Sequence, residues 1–204
     1  MQGQARSRLE VSNWSPRDAM FAVHGVMLVV AFILLFPAGV SAINSNRSRA
    51  FKYHWIVQLT AFIFTTVGVI IGLVLSPDIR FSRHKQLGVI IAVLLAFQLL
   101  SGWRHHITFS KIHQRTWVST VHIWLGRFII GAGWCNFVTG LSLGGFADRY
   151  IYLAAAFVCF EAITLTILHC RYHRVASKVR GAQKWTEEVE NHFALRADNS
   201  DGEE

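Results

Sequence analysis

Three stretches of this chain contain no charged residue at all: Ala19 to Asn46, Tyr53 to Pro77 and Gln86 to Trp103. Two more carry a single charge each, Arg127 within Thr116 to Ala147 and Glu161 within Tyr150 to Cys170. A helix that crosses a bilayer needs roughly 20 mostly apolar residues, and in hydrocarbon it must satisfy its own backbone polar groups. The pattern therefore predicts an all-α integral membrane protein with five transmembrane helices, the third being the shortest. Composition agrees, since 52% of the 204 residues are hydrophobic and only 16% are charged, a balance foreign to soluble domains. The charges gather in linkers and ends, so the net charge of +8 belongs to loops flanking a membrane and implies no nucleic acid partner. Residues 1–17 read as a polar tail with Arg6 and Arg8, residues 18–172 as one membrane domain, and residues 173–204 as a basic, then acidic cytoplasmic tail that is partly disordered.

Four histidines, His24, His54, His84 and His122, stand near the starts of the first four apolar segments. An ionisable side chain inside a bilayer is costly, so four at matching depths ask for a common cause. Helices joined by short linkers alternate in direction. His24 and His84 then share one side of the membrane, and His54 and His122 the other. Each pair offers two imidazoles from different helices, which is what a six-coordinate haem iron takes at its axial positions. The plainer alternative is that each histidine only closes a hydrogen bond between helices. On the haem reading, two haems lie one near each face, with irons roughly 15 to 20 Å apart along a ~30 Å core. Phe64, Phe97 and Trp134 would be part of the medium between them.

Other features fit around this set. Ser15-Pro16-Arg17-Asp18 is a helix start, with a capping hydroxyl, proline at the first helical position and an acid in the first turn. The apolar segment that follows is too long for a secretory signal and has no small-residue cleavage site, so a retained first span is expected. Pro37 removes an amide donor, predicting a kink and a freed Ile33 carbonyl. In the second segment Gln58, Ala61, Thr65, Gly68 and Gly72 form a small, weakly polar face continuous with His54. Gly126, Gly133 and Gly140 repeat every seven residues beside His122, leaving room for a porphyrin or a closely packed helix. Lys52 beside His54, Arg83 and Lys85 beside His84, and Arg127 beside His122 are candidate partners for haem propionates. His105 and His106 close the third segment on the His54/His122 side but fall past the apolar run, in a linker shared with Lys111, His113 and Arg115. Glu161 reads as a protonated or hydrogen-bonded carboxyl, in contact with Asn136 or Thr164 or engaged in proton movement. Cys135, Cys159 and Cys170 form no disulfide framework.

In order and spacing these residues resemble the cytochrome b561 transmembrane domain. The motifs are Ala22-Val23-His24-Gly25 with Leu35-Phe36-Pro37, Gln98 with Gly102 and His105-His106, and His122-Ile123-Trp124-Leu125-Gly126-Arg127 with Asn136 and Gly140. The nearest type is the fungal form often joined to an extracellular DOMON domain, and this sequence shows no DOMON domain before the first helix. The resemblance implies a di-haem b-type cytochrome with His24, His54, His84 and His122 as iron ligands. It further implies an oxidoreductase that passes single electrons from a cytoplasmic, ascorbate-like donor to a ferric chelate or monodehydroascorbate on the other side. A redox partner protein or a homodimer is compatible with it. Lysine and arginine counts near the spans place the C-terminus in the cytoplasm and the N-terminus outside or in a lumen. A reading from another class is a helical membrane scaffold or accessory subunit without haem.

Overall fold

The computed structural model describes residues 15–45, 48–80, 82–112 and 116–200, with backbone alone for 112, 180 and 191–200. Arg6, Arg8, Arg47, His113, Arg115, Asp201, Glu203 and Glu204 lie outside the described residues, as does the side chain of Asp198. Among the described residues every regular element is a helix, without a strand. The helices are α1 (Pro16–Ile43), α2 (Ala50–Leu75), α3 (Arg83–Ile112), α4 (Trp117–Leu143) and α5 (Asp148–Ser200). The chain divides into two compact units, Met1–Phe160 and Glu161–Glu204. The division falls inside α5. The tail expected to be partly disordered is helical as far as Ser200; it contains no proline and is rich in Ala, Glu, Lys and Arg, all good helix formers.

Within the first unit α1 packs against α2 and α3 against α4, and a shorter contact joins α2 to α3. These four helices hold the core, made of Ala31, Phe32, Ile33 and Phe36 from α1, Ala61 from α2, Ile91 and Leu95 from α3, and Ile129, Ile130 and Trp134 from α4. No residue of Asp148–Phe160 is buried. Four helices, α1, α2, α3 and α5, are long and apolar enough to cross a membrane. The fifth expected span, α4, has 27 residues but a more polar composition. It carries His122, Arg127, Asn136 and the glycine heptads, and it is the most buried helix of the first unit.

The ends of the helices fix their order at one face. Ser15 and Asp18 close a capping box, with Ser15 Oγ accepting from the Asp18 amide at 3.2 Å and Asp18 Oδ2 accepting from the Ser15 amide at 3.1 Å. Arg17 Nη2 donates to Leu75 O at 3.0 Å, tying the start of α1 to the end of α2. Lys85 at the start of α3 donates to Ser76 Oγ at 2.6 Å and to Asp78 O at 2.9 Å. The starts of α1 and α3 are thus held to the same linker.

Pro37 follows a wider helical turn, which changes the carbonyl it frees. Residues Val30–Leu35 form a π-helical turn, and the Phe36 amide donates to Ala31 O in the same wider register. The next bond in that register would run from residue 37 to Phe32 O, and proline has no N–H to make it. Trp134 Nε1 donates to Phe32 O at 3.1 Å instead. The carbonyl in need of a partner is Phe32, one residue before the Ile33 expected from an α-helical count. The Phe32 ring lies over Gly133, where an added Cβ would overlap it.

Candidate functional site

The four histidines are half-buried, and each has its Nδ1 held by a neighbouring helix. His24 Nδ1 donates to Gly68 O of α2 at 2.7 Å. His54 Nδ1 donates to Gly39 O of α1 at 2.8 Å. His84 Nδ1 donates to Asn136 O of α4 at 3.0 Å, with Thr139 Oγ1 3.4 Å away. Carbonyls only accept, so in these three rings the proton sits on Nδ1. His122 meets Ser101 Oγ at 3.2 Å, and that hydroxyl gives its own hydrogen to Gln98 O at 2.9 Å. With that hydrogen on Gln98 O, Ser101 accepts from His122 Nδ1, and His122 then shares the tautomer of the other three. In all four rings Nε2 keeps its lone pair, the state of a metal-ligating imidazole whose other nitrogen is oriented by a second partner.

Glycines make room for three of the rings. A Cβ at Gly72 would stand 2.7 Å from His24 Cε1, one at Gly140 2.8 Å from His84 Cε1, and one at Gly102 2.8 Å from His122 Cε1. The heptad glycines of α4 thus receive three side chains from other helices: Gln98 over Gly126, Phe32 over Gly133 and His84 over Gly140. On α2 the small face closes inward at Ala61, Thr65 and Gly68. The His24 and His84 rings stand 6.3 Å apart between centroids, their planes crossing at 78°.

Comparison with known proteins supplies the family. The profile described as "Eukaryotic cytochrome b561" matches residues 17–146. The chain belongs to this family. Among its relatives in Arabidopsis thaliana, a cytochrome b561 domain-containing protein is 30% identical over 58% of this chain and 49% of its own length. "Transmembrane ascorbate ferrireductase 2" is 29% identical over 61% of this chain and 58% of its own length. A cytochrome b561 and DOMON domain-containing protein is 29% identical over 59% of this chain and 31% of its own length. The chain therefore spans about a third to just over half the length of these curated relatives. Membership makes it an integral membrane protein of a haem b-binding family.

The residues present fit that cofactor. Two metal–nitrogen bonds of about 2.0 Å, with roughly 1.1 Å from each nitrogen to its ring centre, put two axial imidazoles about 6.2 Å apart across one metal. His24 and His84 are at 6.3 Å. No group of three or more His, Cys, Asp or Glu side chains converges as a metal cage among the described residues; an axial pair needs only two. Beside the His122 turn, Gln98 Nε2 donates to His122 O at 2.9 Å, while its buried Oε1 has no hydrogen-bond partner.

The candidate cations are placed unequally. Lys52 and Arg83 are exposed, Arg127 lies over the Trp124 ring at 4.8 Å, and Lys85 engages two of its three donors in the linker. Of the aromatics expected between the two pairs, Trp134 is buried and bonded to α1, whereas Phe97 is 60% exposed and points away from the core. His106 stacks on Phe51 with centroids 4.2 Å apart, and His105 faces His122. Glu161 Oε2 makes no hydrogen bond, and Asn136 Oδ1 accepts from Thr139 at 3.2 Å. Cys135, Cys159 and Cys170 are free. Sequence reasoning missed Ser101 and the Trp134–Phe32 bond. The signal for the second was an indole donor in one span and a proline-freed carbonyl in another.

Proposed function

We propose that the protein moves single electrons across a membrane through two haem b groups, one held by His24 and His84 and the other by His54 and His122. The observation that carries the reading is the shared state of the four rings, each with Nδ1 anchored and Nε2 free. Bound haem supplies a reversible one-electron iron couple. The chain's own residues do the rest. The carbonyls of Gly68, Gly39 and Asn136 and the Ser101 hydroxyl fix ring orientation and tautomer. Gly72, Gly140 and Gly102 let the rings lie close to the facing backbone. Lys52, Arg83 and Arg127 offer positive charge to carboxylates at the membrane boundary, with Lys85 contributing through the linker it orders.

The donor is a small cytoplasmic reductant of the ascorbate type, and the acceptor on the opposite side a ferric chelate or monodehydroascorbate. A relative named for ascorbate ferrireduction supports this substrate class. The excess of Lys and Arg near the spans on the side of the C-terminus supports a cytoplasmic C-terminus and an N-terminus outside or in a lumen. The test is haem content and the reduced-minus-oxidised spectrum of the purified chain. Electron transfer from trapped ascorbate to external ferric citrate in liposomes follows. Two b-type haems per chain, one lost in His84→Ala and the other in His122→Ala, are expected. A folded protein without haem would sink the reading and leave a helical scaffold.

A further inference from the structure

The anchors of the four rings follow one count along the chain. On α2 the carbonyl that holds His24 belongs to Gly68, fourteen residues after His54, and the glycine under the His24 ring is Gly72, eighteen after it. On α4 the carbonyl that holds His84 belongs to Asn136, fourteen residues after His122, with Gly140 at eighteen. On α3 the His122 ring meets Ser101 Oγ beside the Gln98 carbonyl, and Gln98 and Gly102 stand fourteen and eighteen residues after His84. Each helix thus carries a histidine near its start and, about 21 Å further along at 1.5 Å per residue, the cradle for its partner's. Only α1 departs from the count. Gly39, whose carbonyl holds His54, comes fifteen residues after His24. The same helix contains the π turn Val30–Leu35. Hydrogen bonds that close over five residues instead of four take up one extra residue without turning the following helix away from its face.

We propose that this π turn is a one-residue register insert that positions Gly39 O for His54. The register stands on the hydrogen bonds; its effect on cofactor binding rests on the haem reading above. In a plain α-helix of the same sequence, everything after Leu35 would turn by about 100° and Gly39 O would leave the His54 ring. The residue taken up is Leu34, 58% exposed next to buried Ile33. Without it Gly39 would follow His24 by fourteen residues in an unbroken α-helix. Pro37 would then come four residues after Phe32, so Phe32 O would still lack an amide donor and Trp134 Nε1 would keep its acceptor. The one insert therefore serves both contacts, the imidazole from α2 and the indole from α4.

The experiment compares full chains in lipid nanodiscs, with haem counted by its pyridine complex, low-spin ferric signals read by low-temperature electron paramagnetic resonance, and heat denaturation followed alongside. Deletion of Leu34 is expected to keep both haems, both signals and a melt within about 4 °C of wild type. Insertion of one alanine after Leu34 asks for a second bulge. It should lose the His54/His122 haem and keep the His24/His84 signal, which reports folding. Deletion of Ile63, 52% exposed between His54 and Gly68, should instead lose the His24/His84 haem, because α2 has no bulge to resolve. Loss of the His54/His122 haem from the Leu34 deletion as complete as from the insertion would overturn the proposal and leave the haem reading intact, and so would an insertion as harmless as the deletion. A wild-type chain without haem would sink the haem reading alone. The melts then decide the register: the insertion should lie more than about 10 °C below the Leu34 deletion, and equal melts would overturn it.

Discussion

Gly140→Ala asks whether His84 is held for a ligand or merely packed. A Cβ there would stand 2.8 Å from His84 Cε1 and 3.2 Å from Nδ1. Ordinary carbon contacts begin near 3.5 Å, so the ring must retreat by about 0.7 Å. It is not free to do so, because Nδ1 is bonded to Asn136 O at 3.0 Å and the His24 ring faces it at 6.3 Å. Stretching that bond past about 3.5 Å forfeits about 1 kcal/mol. Forcing a methyl into a packed site costs a further 1 to 3 kcal/mol or so. The ring shift also exceeds the roughly 0.5 Å tolerance of a working site. Haem affinity on the His24/His84 side should fall about 10- to 100-fold, as when an outer partner of a metal ligand is lost. Gly131→Ala on the same helix is the control, since nothing lies within 4 Å of its added Cβ and alanine favours a helix by about 1 kcal/mol. Haem transfer to excess apomyoglobin and heat denaturation in detergent read the two variants side by side. A Gly140→Ala protein that holds haem as long as Gly131→Ala, with the wild-type melt, would refute the reasoning.

Ser101→Ala removes the acceptor of the His122 Nδ1–H. It should speed haem loss from the His122 site about tenfold without touching the His24/His84 signal, and Ser101→Thr should restore it. Trp134→Phe strands Phe32 O and should lower stability by about 1 to 3 kcal/mol in denaturant titration. In a Pro37→Ala background, where residue 37 regains an N–H, the same change should cost distinctly less; equal costs would mean the indole bond and the proline are unrelated. Gly133→Ala drives a methyl into the Phe32 ring and should destabilise by about 1 to 3 kcal/mol, seen as a lower melting temperature with haem spectra unchanged.

The helices were legible because the constraint that makes them is one-dimensional. A bilayer excludes charge from runs of about 20 residues, so Ala19 to Asn46 or Tyr53 to Pro77 announce themselves without any knowledge of neighbours. Alternation of direction is equally local, and it predicts that His24 meets His84. What depended on packing could not be read. Counting by α-helical register names Ile33 as the carbonyl freed by Pro37. The π turn at Val30–Leu35 moves the vacancy to Phe32, and only the indole from α4 shows why that register is tolerated. Phe97 sits in an apolar run and reads as interior, yet nothing in the run says which side of the helix meets lipid. His105 falls past the apolar stretch and reads as loop, although α3 continues to Ile112 and turns that ring toward His122.

If the four rings hold haem as proposed, their anchors bear on how the site would tolerate a change of charge at its centre. Three of the four Nδ1 groups are bonded to main-chain carbonyls, whose positions are set by helix packing rather than by any rotatable side chain. On the proposed haem reading, rings held this way would need little rearrangement when an electron arrives or leaves, which would lower the barrier to transfer. His122 differs in that its Nδ1 also meets a hydroxyl, Ser101 Oγ at 3.2 Å, beside the Gln98 carbonyl. The His24/His84 pair is oriented mainly by the Gly68 and Asn136 carbonyls, with Thr139 Oγ1 3.4 Å from His84 Nδ1, and should change little with most side-chain substitution around it, apart from added bulk. The His122 site is adjustable through Ser101. Tuning of ligation and potential by mutation should therefore concentrate on the His122 side.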